Sequence, residues 1–333
     1  MFFAKSSKSD PARYLKRTAA AILGTLALIL IIVAWFWSRT PDIFFVTNEL
    51  DGEAVVVGYS TTDTLIRLGD LLLEKPGGYL SNDVAPPGVF LDNMPNWEFG
   101  VLTQIRDVAR VMRNDYSRSQ SQSTEDPDLA KAEPQFFFDS DSWILPTTES
   151  KLREGLEGFR KYRERLTGTA NPPAQFFSRA DNLTEWLSQV EKRLGSLSQR
   201  LSASVGQRRV NTDLQGEPSA ASGGASSADV SVKTPWLELD DVFYEARGTA
   251  FALIHLLRAA EFDFRDVLDD KNAAVSVRQI IRELESSLSP MRSPVVLNGS
   301  GFGTFANHSL VMASFLSRAN AAVIDLRELL DQG

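Results

Sequence analysis

Residues 178–205 read SRADNLTEWLSQVEKRLGSLSQRLSASV. Within them Leu183, Leu187, Val190, Leu194, Leu197, Leu201 and Val205 recur at intervals of four or three residues, which places all of them on one side of an α-helix. Alternation of these two intervals favours a paired helix with a slight left-handed twist. Ser178 and Asp181 have the spacing of a capping box, in which a hydroxyl and an acid satisfy free N–H groups of the first turn. Immediately upstream, Thr148 to Leu166 carries a second stripe of Leu152, Leu156, Phe159, Tyr162 and Leu166, closed by Pro172-Pro173. Two stripes on a short connector predict an intramolecular antiparallel hairpin. The alternative is a coiled coil between two copies of the chain.

The same period recurs on both sides. Ser60 to Asp63 forms another capping box, followed by Leu65, Leu68 and Leu72 and stopped by Lys75-Pro-Gly-Gly78. Asn96 is a candidate cap for a helix running to about Tyr116, with Leu102, Ile105, Val108 and Met112 inward. Thr234-Pro235-Trp236 opens a helix with Leu239, Phe243, Ala246, Ala250, Ile254 and Leu257 inward. Shorter helices are expected near 263–270 and 275–288. A last one is expected from Thr304 to about Leu330, burying Phe305, Met312, Phe315, Ala319, Ala322, Leu326 and Leu329. Strand signals are confined to Ile43–Val57, where Asp51-Gly52 marks a turn. Tyr79–Pro95 is irregular but too apolar for a disordered tail, and reads as a packed loop. Phe136–Trp143 is an apolar connector without a period. The polar run 117–126 and the Ser/Gly-rich run 215–229 read as mobile breaks. The class is all-α, built from antiparallel helices.

Ahead of this body, Ala19 to Trp37 (AAAILGTLALILIIVAWFW) carries no charge. It spans about 28 Å at ~1.5 Å per residue, close to the ~30 Å hydrocarbon core of a bilayer. Trp35 and Trp37 close it, where amphipathic rings prefer the headgroup layer. Lys5, Lys8, Arg13, Lys16 and Arg17 precede it, and Asp42, Glu49, Asp51 and Glu53 follow. This asymmetry predicts a cytoplasmic N-terminus with the rest of the chain outside. A cleaved signal peptide is the competing reading, but the run is long for one and WFWSRTP offers no small-residue cleavage site. The expected organisation is a basic cytoplasmic tail at 1–18, a transmembrane helix at 19–37 and a juxtamembrane stem at 38–59. A helical periplasmic domain at 60–333 follows, with flexible breaks at 117–133 and 212–233.

Composition excludes several functions. Beyond Arg17 the chain holds 30 basic and 42 acidic residues, a net charge of −12, so bulk charge does not draw it to nucleic acid or anionic lipid. It has no cysteine and two histidines. That removes disulfides, thiolate metal sites, cysteine nucleophiles and His-rich metal sites. No cofactor motif is present.

Gly58 to Gly100, GYSTTDTLIRLGDLLLEKPGGYLSNDVAPPGVFLDNMPNWEFG, resembles a bacterial family catalogued as domain of unknown function 2333, above all in KPGGYLSNDV and LDNMPN. The similarity continues at Ser178–Leu183 and Leu239–Tyr244 and resumes at Val295–Gly299. The resemblance implies a Gram-negative inner-membrane protein with its bulk in the periplasm. It brings no assigned catalytic residues.

Two groups of side chains are candidates for binding or interaction. Asn82, Asp83, Asp92, Asn93, Trp97 and Glu98 combine acids with an aromatic ring. Glycan cleavage uses two such acids, one protonating the leaving oxygen and one activating water, with an aromatic platform for the sugar. The competing role for these Asp and Asn residues is in turns and caps. In the second group, Asp240, Asp241, Tyr244 and Arg247 lie one turn apart, and a cation could bridge Asp241 and Glu245. Against this, acids complement the positive end of a helix dipole and Arg247 can pair locally. Phe138–Trp143 begins like a calcium loop but lacks its Gly and Glu. The Gly-rich run at 298–303 lacks the strand and Lys of a phosphate loop. His255 and His308 have no neighbouring ligand, no serine sits in a nucleophile elbow, and the N-x-S/T matches at Asn182, Asn298 and Asn307 carry no weight in a bacterial envelope. No metal site is expected. The expected function is a membrane-tethered helical scaffold or adaptor of the cell envelope. It would hold the bilayer through 19–37 and engage an envelope protein or a second copy through Leu187–Leu201 and the loop Asn82–Trp97. The alternatives are a periplasmic glycan or peptide hydrolase and a carrier with an apolar cavity between helices.

Overall fold

The computed structural model describes residues 11–332, apart from 51–52, 55, 121, 211–228, 294 and 301–302. The chain is all-α. Helix α1 covers Pro11–Trp37 and is long and apolar enough to cross a membrane. A two-stranded ribbon follows, β1 (Glu49–Leu50) with β2 (Glu53–Ala54), in the expected hairpin stretch. The turn residues Asp51-Gly52 lie outside the described residues. The body consists of α2 (Tyr59–Glu74), α3 (Asn93–Val111, prolonged by a π turn to Tyr116), α4 (Pro127–Phe136), α5 (Thr148–Leu166), α6 (Ala180–Ser202), α7 (Leu239–Asp263), α8 (Arg265–Asp270), α9 (Ala274–Ser287) and α10 (His308–Asp331). A second ribbon pairs β3 (Gln207–Val210) with β4 (Asp229–Val232). The linker expected at 215–229 falls almost wholly outside the described residues.

The core is organised by α3 and α7. They run parallel: Asn96 bonds Asp241 at one end, and Tyr116 meets Phe264 at the other. Two glycines permit the close approach. A Cβ on Gly248 would overlap the Trp97 carbonyl, and one on Gly100 would overlap the Glu245 carbonyl. Backbone atoms cannot yield as a flexible side chain can, so Gly248→Ala is expected to lower stability by about 2–3 kcal/mol. Denaturant unfolding of the full chain in detergent checks this; a change within ~0.5 kcal/mol, the range of neutral surface substitutions, would show that the helices separate at no cost.

The Leu stripe of α6 is buried as its period predicts, but its partner differs. Helix α6 lies antiparallel along α10, Thr184 meeting Asp331 and Ser198 meeting Ala313. Helix α5 instead packs on α2 and α4. The expected α5–α6 hairpin is therefore not formed. Leu187, Val190, Leu194, Leu197 and Leu201 are enclosed within the body, so this stripe is not available to an outside partner or a coiled-coil dimer. Periodicity reveals that a face is covered, not which helix covers it. Helix α10 starts at His308 rather than Thr304, because the Asn307 side chain accepts from the Leu310 N–H. Its inward positions are Met312, Leu316, Ala319, Val323, Leu326 and Leu330, and Phe305 is exposed.

The break expected at 117–133 is narrower than that. Pro127–Phe136 is helical, with Asp126 as its cap and Pro127 in the first turn. Arg165 ties Asp126 and Asp128 to α5. Neither capping box operates as such. Residues Gly58 and Arg179 occupy the N-cap positions of α2 and α6 without a side-chain cap, while Asp63 pairs with Arg163 and Asp181 with Arg179. Helix α3 is capped by Asp92, not Asn96.

The first turn of α2 is capped across the fold instead. The buried Asp263 carboxylate, at the end of α7, accepts from the Gly58 N–H at 2.9 Å and the Thr61 N–H at 2.7 Å. Replacing it with Ala leaves both donors buried without acceptors, and Asp263→Ala is expected to cost about 2 kcal/mol. The unfolding midpoint of the variant reads this directly, and Asp263→Asn, which keeps one acceptor, should lose less.

Candidate functional site

The candidate residues gather at one end of the body, formed by the C-terminus of α2 and the N-termini of α3 and α7. The turn after α2 (75–78) brings Lys75 against Glu98 on the second turn of α3. Their side chains are fully buried and 2.7 Å apart. Glu98 also accepts from the N–H groups of Leu80 and Ser81, each at 2.9 Å, and from the Ser81 hydroxyl at 2.5 Å. Both oxygens of that carboxylate are thus engaged, by Lys75 and by the start of the loop after α2. Glu98 is therefore an internal fastener, closed to water and substrate.

Beyond it, Asn82 donates to the Ser142 carbonyl at 2.9 Å and to Glu149 at 2.8 Å. This stitches the loop after α2 to the connector before α5. Asp83 lies beside the same Glu149, and burial, reinforced by that like charge, raises its pKa despite the opposing Lys75. Trp97 faces inward, packed against Phe251 of α7 with ring centroids 5.2 Å apart. At 1% exposure it offers no platform to a sugar.

Asp92 and Asn93 open α3. The Asp92 carboxylate accepts from the Asn93 N–H at 2.9 Å, and the Asn93 side-chain oxygen is buried without a partner. The Asn96 amide links them to the second group by donating to Asp241 at 2.6 Å. Asp92, Asp240, Asp241 and Glu238 thus share one neighbourhood. Burial first, then these like charges, raise the pKa of Asp241. Tyr244, one turn on, is also shifted upward, chiefly by burial. Of the aspartates considered from sequence, Asp92, Asp240 and Asp241 therefore fall together, and Asp83 lies apart. Among the described residues no group of three or more His, Asp or Glu is arranged to hold a metal ion.

Among the described residues Arg247 pairs with no acid. Its guanidinium donates to the Leu288 carbonyl at 3.0 Å and lies near those of Ser287 and Ser289, closing the C-terminus of α9. Burial lowers its pKa. Together with Tyr244, Pro290, Met291 and Ser293 it lines a cleft of about 450 Å³ whose other wall is Ser38–Asp42, the chain leaving α1.

That departing chain carries the feature sequence reasoning missed. It is strapped along the body. The Phe44 N–H donates to His255 Nε2 at 3.0 Å, while Nδ1 of the same ring bonds the Phe251 carbonyl at 2.7 Å. The Phe44 ring stacks on the imidazole, centroids 3.9 Å apart, and Arg67 lies over its other side. Arg67 also donates to the Phe45 carbonyl at 2.6 Å, and Ser60 to that of Thr47 at 3.2 Å. A histidine within an apolar stretch gives no sign of a partner some two hundred positions earlier. The chain thus leaves α1 at the α3/α7 N-terminal end, runs to the opposite end, and returns through α2.

A protein-family model described as "Uncharacterized protein conserved in bacteria (DUF2333)" matches residues 11–333. No curated protein and no solved structure matches the chain.

Proposed function

As the chain belongs to the bacterial DUF2333 family, whose description assigns no activity, we propose from its geometry that it is a membrane-tethered helical scaffold or adaptor of the cell envelope. Residues 19–37 anchor it in the inner membrane, the N-terminus is cytoplasmic, and the acidic body stands in the periplasm. The observation that carries this reading is the strap. Bonds at Phe44, Phe45 and Thr47 hold the juxtamembrane segment against α2 and α7. An enzyme on a loose tether needs no such attachment; a body that presents one defined face relative to the membrane does. The engaged state of the candidate residues adds support. Glu98 is an internal ion pair, Asp92 a cap, and Trp97 part of the core. With the α6 stripe covered, the remaining contact region is the loop 82–91, where Val84, Val89 and Phe90 are exposed.

Alkaline phosphatase fused to the C-terminus in live bacteria is expected to be active, and the product to keep α1 in the inner-membrane fraction. An inactive reporter, or a product shortened by removal of α1, overturns the anchor. Light scattering of the detergent-solubilised full chain, with crosslinking from position 89 in cells, is expected to reveal a self-complex or a discrete envelope partner. Incubation with purified peptidoglycan is expected to release nothing. Fragments whose release is lost in Asp92→Ala or Asp241→Ala would replace the scaffold by a hydrolase.

A further inference from the structure

We infer that the end of the body bearing the α3 and α7 N-termini is itself a membrane-seating face, dipping apolar side chains into the headgroup layer around the anchor. The inference rests on one part of the scaffold reading, that α1 spans the bilayer, and assigns Phe90 of the loop 82–91 to lipid, leaving the exposed Val84 and Val89 to the envelope partner.

The exit point of α1 fixes the geometry. Trp37, its last residue, is the part of α1 packed against the core. A Cβ on Gly77 would come within 2.8 Å of the Trp37 indole. The turn after α2 therefore lies where the span ends, and Ser38–Asp42 pass beside Tyr244 and Arg247 near the start of α7. With α1 across the bilayer, the inference sets this end of the body at the level of the headgroups.

Three segments there expose large apolar side chains. The short 3-10 turn Gly88–Phe90 follows the Gly77–Leu80 contact and leaves Phe90 76% exposed. The connector before α5 is drawn alongside by the Tyr79 hydroxyl on the Ser140 carbonyl (2.8 Å) and the Asn82 amide on that of Ser142. It projects Trp143, Ile144 and Leu145, the last 86% exposed. Trp236 and Leu237 stand in the turn leading into α7, both more than three-quarters exposed. Water is a poor environment for such side chains, and aromatic rings in particular favour the interface of a bilayer. Scattered singly they would be unremarkable. Three loops doing so at the exit of the span form a pattern that a lipid surface accounts for.

The charge at this end identifies the kind of surface. Asp83, Asp92, Asp240 and Asp241 flank the apolar tips, and carboxylates repel phosphatidylglycerol headgroups. Seating is therefore apolar in origin, favours zwitterionic lipid and is insensitive to salt.

The chain has no cysteine, so single cysteines can be introduced without background. The full-length protein in zwitterionic nanodiscs, labelled with an environment-sensitive fluorophore, provides the test. Phe90→Cys, Leu145→Cys and Leu237→Cys report the face. Leu28→Cys reports the span. Val275→Cys, exposed on α9 next to the far end of α7, is the apolar control. Each chain is first checked for parental helicity. The expected result is a blue shift at the three face positions with quenching by lipids spin-labelled near the headgroup, unchanged in high salt and no stronger with phosphatidylglycerol. Leu28 should be quenched by deep labels, and Val275 by neither. Quenching at Leu28 with face positions that behave like Val275 overturns the seating while leaving the anchor intact. No quenching at Leu28 removes the anchor and the seating together. A blue shift at the face without lipid quenching assigns the patch to protein contact, including a second copy, and also overturns the inference.

Discussion

Glu98→Ala is expected to destabilise the protein by about 3–5 kcal/mol, the cost of breaking a buried ion pair from one side. Lys75, its side chain fully buried, would keep its charge without its ion-pair partner, left with the Gly78 carbonyl at 2.6 Å and the attraction of Asp83. The N–H groups of Leu80 and Ser81 would lose their acceptor at the same time. Glu98→Gln preserves an oxygen for those donors but not the charge, and should fall between Ala and the parent. Lys75→Met combined with Glu98→Gln should recover part of the loss, since the uncompensated ammonium is gone. Denaturant unfolding of these chains and of Lys75→Met alone, in one detergent, measures this. Additive losses, with no recovery in the double variant, would mean the two charges act independently. Because Glu98 holds the loop 79–91, partial unfolding should begin there, and hydrogen exchange at Leu80 and Ser81 should accelerate first.

Acidification supplies the second large effect. Burial lowers the pKa of His255 from 6.5 to about 4, outweighing the bond to the Phe251 carbonyl. The neutral ring is what accepts from the Phe44 N–H. In the unfolded chain the histidine takes a proton below about pH 6.5, while the folded protein resists until about pH 4. The unfolded state thus binds more protons across that window. Stability is fully present above pH 6.5, declines as the pH falls, and by pH 4 has lost about 3 kcal/mol from this group. Protonation also removes the acceptor that holds the strap. Limited proteolysis between residues 38 and 47 is therefore expected to rise steeply below pH 5, and His255→Gln should flatten the dependence. Equal protection of that segment at pH 4 and pH 7 would disprove the coupling.

Much of the fold can be read from the chain because burial leaves a period. The limits of α5 coincide with its expected span of Thr148–Leu166, and the α6 stripe is inward at the expected leucines. What a period cannot encode is the identity of the covering element, so α10 in place of α5 as the partner of α6 could not be read. Helix starts were misplaced for a related reason. A capping box is a local option for satisfying N–H groups, and a buried carboxylate from elsewhere can fill the same need; Asp263 does so for α2. One missed element did carry a signal. Asp126-Pro127 is a cap followed by a first-turn proline, but the polar composition of the stretch obscured it. At the candidate site, the sequence reading left Asp92 and Asp241 in separate groups, which the Asn96 amide joins, and did not indicate that Trp97 and Glu98 point into the interior. Position along the first turns of α3 decides this, and it depends on Gly248 admitting α3 so closely.

The strap has a consequence for how the protein is made. Phe44 is bonded to a residue 211 positions later, and Gly58 to one 205 positions later. At synthesis rates of ~5–20 residues per second, about 10–40 s pass between their emergence and that of their partners. During this interval the nascent segment beyond α1 has no α7 to rest on, and the Phe44 ring lacks the imidazole on which it later stacks. Newly made copies therefore pass through a stage in which chaperones and proteases can reach a segment that mature copies hold fast.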